Sequence, residues 1–68
     1  MKLDNEQLMS LFKRTEEYRE RHGVRMGQAM FNVLDDIEVG LCKEVAGEDY
    51  DPFYNDDNIP ALLRYLTE

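Results

Sequence analysis

The chain has 68 residues, a single cysteine and a formal net charge of −7. That length suits one domain, and an isolated core of this size supplies no more than about 3–5 kcal/mol, while Cys42 alone closes no internal disulfide. A surface so negative repels phosphate and anionic lipid, which excludes ordinary nucleic-acid binding by counterion release and attachment to acidic membranes.

The charge is unevenly spread. Residues 1–25 carry six basic and five acidic side chains, whereas residues 26–68 carry two basic and ten acidic ones. No apolar run is long enough to span a bilayer. The opening residues lack the apolar stretch of a secretory leader, and a lone thiol suits a reducing compartment, so the expected location is the cytoplasm.

Asp4 followed three residues later by Gln7 reads as a capping box, in which each residue's side chain bonds the other's backbone amide. Leu8, Leu11, Phe12, Thr15, Tyr18 and His22 then recur at helical spacing. The first helix is predicted over about 5–21, ended by Gly23, which takes the left-handed terminal conformation at no steric cost. A second helix is predicted over about 25–36, where Met26, Ala29, Met30, Val33, Leu34 and Ile37 form one continuous apolar stripe. Gly27, in its first turn, points to close backbone approach by another segment. Met9, Met26 and Met30 read as core filler. Val39, Leu41, Cys42 and Val45 resume the pattern in another phase, predicting a short third helix over 39–46, with one bent helix over 25–46 as the alternative.

Residues 48–58 read as a loop, because Pro52 and the Asp/Asn cluster favour turns. This stretch holds Tyr50, Phe53 and Tyr54, three of the seven aromatic residues. Burying one Phe side chain contributes about 1.5–3 kcal/mol, so the loop is expected to pack onto the helices as a wall. Pro60 suits the first turn of a final helix over about 59–67, with Ile59, Leu62, Leu63 and Leu66 on one face. The expected fold is all-α, a single domain spanning 1–68 and built as a small bundle of three to four helices.

Few residues nominate chemistry. The acids around 48–57 are dense in oxygen, yet an EF-hand counted from Asp49 has Phe53 and Tyr54 where a ligand and a glycine belong. Caps, turn bonds and a solvated face account for them, so no metal or cofactor is expected. His22 fits the end of the first helix, where its charge complements the dipole. Cys42 fits a small apolar core position, and nothing supplies the base and oxyanion donor that nucleophilic catalysis needs. The expectation is a non-enzymatic protein. Arg14, Tyr18, Arg21 and Arg25 fall on one edge, but Arg25 reads better as an internal anchor, pairing with Asp51 or Asp56 to fix the loop.

Two stretches carry a resemblance: Arg25-Met26-Gly27-Gln28-Ala29-Met30-Phe31-Asn32 and Asp51-Pro52-Phe53-Tyr54-Asn55-Asp56-Asp57-Asn58-Ile59-Pro60. Together they resemble very short, uncharacterised proteins of tailed phages and prophages with the pattern R-x-G-Q-A-x-F-N followed by D-P-F-Y-D-D-x-x-I-P. The resemblance covers about residues 25–66. Glu38, Val39 and Gly40 depart from the Asp-Pro-Glu turn of that set, and Asn55 replaces its first paired Asp. The resemblance implies a phage setting, in the cytoplasm of a bacterial host, and brings no ligand or catalytic residue.

Read physically, the two motifs are halves of one lock. Gly27 admits the loop from Asp51 to Tyr54, Phe53 enters the core, Arg25 anchors the loop, and Gln28 or Asn32 bonds its backbone. Glu48, Asp49, Asp51, Asp56 and Asp57 then form a negative interaction surface for a protein partner. The leading expectation is an acidic protein-binding module that modulates a host or phage protein, possibly a basic one that binds nucleic acid. The alternative is a self-assembling or structural homo-oligomer.

Overall fold

A computed structural model describes residues 2–68 and shows an all-α bundle. Helix α1 spans Asn5–His22, α2 Met26–Ile37, α3 Leu41–Val45 and α4 Ile59–Thr67, with a 3-10 turn at Asp56–Asn58. Among the described residues there is no strand, and none of the helices is long and apolar enough to cross a membrane.

Helix α1 starts at the reciprocal cap read from the sequence. The Gln7 amide donates to Asp4 Oδ1 at 2.8 Å, and the Asp4 amide donates to Gln7 Oε1 at 3.0 Å. It ends at Gly23 in the left-handed region, whose amide donates to the Arg19 carbonyl. Leu11 and Thr15 of α1 and Ala29, Met30, Val33 and Leu34 of α2 are all buried. The Thr15 hydroxyl donates to the Leu11 carbonyl at 2.7 Å, so its burial leaves no unpaired oxygen.

Helices α2 and α3 are separate, and α3 is shorter than the spacing predicts. Gly40 occupies φ 95° at its N-cap, a conformation costly for a residue with a Cβ. Val39, expected on the apolar face of α3, lies in that turn and is 90% exposed. Two further expectations are corrected on α1: Met9 is 72% exposed rather than core filler, and Phe12 lies at the surface. Met9 falls on the flank of α1 away from Leu11 and Thr15, and Phe12 lies one turn beyond Leu8 at the edge of the buried face.

The bundle closes through the ends of the chain. Leu3 is completely buried, and the amides of Lys2 and Leu3 both donate to the Leu66 carbonyl of α4. Leu41, Val45, Leu62 and Leu66 complete the core. Tyr50 stacks on Tyr65 with centroids 4.3 Å apart, so the loop between α3 and α4 rests on α4 at one end.

Candidate functional site

The loop after α3 is held from its centre by polar groups. Arg25, at the N-cap of α2, offers no side-chain oxygen for the first amides of the helix. Asp56 supplies one from 29 residues away: its Oδ1 accepts from the Gly27 amide at 2.9 Å and from Arg25 Nη1 at 2.7 Å. A carboxylate at a helix N-terminus meets both unpaired amides and the positive end of the dipole. Arg25 Nη2 also donates to the Phe53 carbonyl at 2.5 Å, so one guanidinium ties two points of the loop.

Gly27 is where loop and helix touch. A methyl group there would lie 2.5 Å from Asp56 Oδ1 and closer still to the Pro52 carbonyl oxygen. Only a residue without a side chain admits this approach. Pro52 is the loop residue that is fully buried. Phe53, expected in the core, is half-buried at its edge, where its ring meets Phe31 edge-on at 5.3 Å. Tyr54 is 83% exposed, and its place in the lock is corrected: it stands out from the loop and contacts Phe53 at 4.7 Å. It is the Pro52 backbone, through its carbonyl group, that approaches Gly27.

Gln28 and Asn32 are not the loop's backbone partners. Asn32 Nδ2 donates to the Tyr18 hydroxyl of α1 at 3.1 Å, and the structure gives Gln28 no bond to the loop. Asn58 takes that role by donating to the Asp51 carbonyl at 2.8 Å. Asp51 in turn accepts from the amides of Gly47 at 2.8 Å and Phe53 at 2.9 Å. The Asn55 side chain caps the 3-10 turn through the Asp57 amide. These are short-range Asx bonds, which the density of Asp and Asn signals but does not assign to partners.

The five acids expected on one interaction surface thus divide. Asp51 and Asp56 hold the loop together, while Glu48, Asp49 and Asp57 are exposed. Beside them runs an open groove of about 540 Å³. Phe31, Phe53 and Tyr54 line it together with Gly47, Glu48 and Asp51. Its volume falls in the range of small-ligand pockets, but it opens to solvent instead of enclosing a ligand.

Elsewhere Cys42, Glu44 and Tyr65 are tied to structure. Burial pushes the Cys42 thiol above its ordinary range, and its Sγ lies 3.0 Å from the Phe31 carbonyl. That combination suits packing, not nucleophilic attack. The Tyr65 hydroxyl donates to Glu44 at 2.7 Å, lowering the Glu44 carboxyl and raising Tyr65. Lys2 lies 3.5 Å from Glu44 and 4.9 Å from the centroid of the Tyr65 ring. Among the described residues no three of His, Cys, Asp or Glu converge as metal ligands would. Compared with known protein families, with curated proteins and with solved structures, the chain has no match.

Proposed function

We propose that this chain is a small acidic protein-binding module of phage type that modulates a basic host or phage protein. The observation that supports it is the fixed loop: a short segment bearing exposed Glu48, Asp49 and Asp57 and the exposed Tyr54 is anchored to α2 by Asp56, Arg25 and Gly27. A preorganised surface loses little entropy on docking, and its charge steers a basic partner toward it. A basic protein that binds nucleic acid is the partner class such a surface suits, because its phosphate site would meet carboxylates here.

The test is capture from host lysate by the tagged chain at low and at high salt, alongside the variant Glu48→Lys/Asp49→Lys/Asp57→Lys. The reading expects one basic protein held at low salt and lost near 1 M, where screening shortens to about 3 Å, and lost equally by the variant. Capture that ignores both salt and the variant would overturn it. The exposed Met9 and Phe12 favour a second reading, self-association through α1. Light scattering at two protein concentrations separates the two, since a strict monomer contradicts the second.

A further inference from the structure

We infer that the groove beside the loop takes a positively charged side chain, an arginine or lysine carried on an exposed segment of the partner protein. The inference rests on the protein-binding reading above and assigns its contact point.

Three aromatic residues, Phe31, Phe53 and Tyr54, line the groove. Phe53 meets Phe31 at 75° and Tyr54 at 74°, so neighbouring rings are nearly perpendicular. Walls set at such angles line the groove, and aromatic faces carry the negative end of the ring quadrupole, which attracts cations. Glu48 and Asp51 line the same groove, and no Lys, Arg or His lines it. Asp51 is fixed by the two amides it accepts from, those of Gly47 and Phe53. Around Gly47 the space where a Cβ would project is open for 4 Å, so an extended chain can approach the backbone there.

The character of the occupant follows from this lining. A neutral apolar group would cover the rings but would strip water from two carboxylates without replacing it, which is costly. An anion would be repelled outright. A guanidinium or ammonium on an aliphatic stem satisfies both parts, its stem against the rings and its charge near the carboxylates. The chain uses this combination internally, where the Lys2 ammonium lies near both the Tyr65 ring and the Glu44 carboxylate. A second copy is a poor occupant, because at a net charge of −7 the copies repel.

The test is a titration of the isotopically labelled full chain with a short capped peptide bearing one arginine between leucines, against the same peptide with citrulline. The arginine peptide is expected to shift the amide signals of Gly47, Glu48 and Phe53 and the Tyr54 ring, and citrulline to bind at least about fivefold more weakly. Tyr54→Ala should weaken the arginine peptide about threefold, Tyr54→Phe should restore it, and neither should lower the melting temperature, because Tyr54 is largely exposed. Equal binding of the two peptides, or shifts confined to α1, overturns the assignment. If lysate capture stays salt-dependent but is indifferent to Tyr54→Ala, the groove assignment fails while the module stands. If neither peptide nor basic protein binds, both fail.

Discussion

Along the seam between α1 and α2, apolar side chains lie inside and polar ones outside. Leu11, Met30, Val33 and Leu34 are buried, while Gln7 to Glu38, Arg14 to Asp36 and Asn32 to Tyr18 are exposed contacts at the margin. Where the loop meets α2 a polar contact makes the join: the Asp56 carboxylate, itself partly exposed, accepts from the Gly27 amide and from Arg25, and Phe53 rests edge-on against Phe31. A helix satisfies its own backbone, so its side chains are free to exclude water. A loop has no such ladder and must spend polar side chains on its own amides and carbonyls. Acidity therefore means different things in the two regions, a solvated margin in one and a bonded tie between loop and helix in the other.

Substitutions that tell the tie from the margin break or sharpen this contrast. The largest effect is expected from Gly27→Ala. Its methyl group collides with the Pro52 carbonyl and Asp56, so the loop must move off α2 at a cost of about 1–3 kcal/mol, measured by chemical denaturation. Next comes Asp56→Ala, which removes the cap of α2 together with its ion pair and should cost about 1–2 kcal/mol. Arg14→Ala, on a marginal pair of 3.9 Å, should change stability by no more than about 0.5 kcal/mol. If Arg14→Ala costs as much as Asp56→Ala, the contrast between the regions is wrong.

A pH series sharpens the same point at the other end of the loop, where Tyr50 stacks on Tyr65. The Tyr65 hydrogen bond holds the Glu44 carboxyl below its ordinary 4.5, so the folded state releases that proton more readily than the unfolded one. Its contribution is present above about the ordinary value and is lost as pH falls through the lowered one. Tyr65 is raised above 10.0, first by its bond to Glu44, so its contribution is present below that pH and is lost as pH rises through the raised value. Glu44→Gln should flatten both flanks and bring the Tyr65 titration down toward 10.0, read by ultraviolet absorbance.

What the sequence discloses follows the same division. The first helix is legible from its capping box and Gly23, the second from its unbroken stripe, and the fourth from Pro60 and its leucines. Those signals are local, because helix ends and faces are set by residues three or four apart. Val39 misleads, since its spacing suits a helix that Gly40 starts two residues later. In the loop, Gly27 announces close approach, but which residue fills the space depends on geometry that spacing does not carry: Pro52 enters, Phe53 rests on Phe31 and Tyr54 faces water. Arg25 was legible as an anchor without the choice between Asp51 and Asp56, since the two carboxylates look alike along the chain. Leu3 gives no periodic signal because it precedes its helix, and its burial depends on α4.

The central claim is that the loop is a fixed part of the fold, and amide hydrogen exchange at Gly27 and Phe53 tests it most directly. These amides donate to Asp56 and Asp51, so they should exchange nearly as slowly as core amides such as Val33, and Asp56→Ala should release Gly27 first. Exchange at Gly27 and Phe53 as fast as in an unstructured peptide, with Val33 still protected, would contradict the claim.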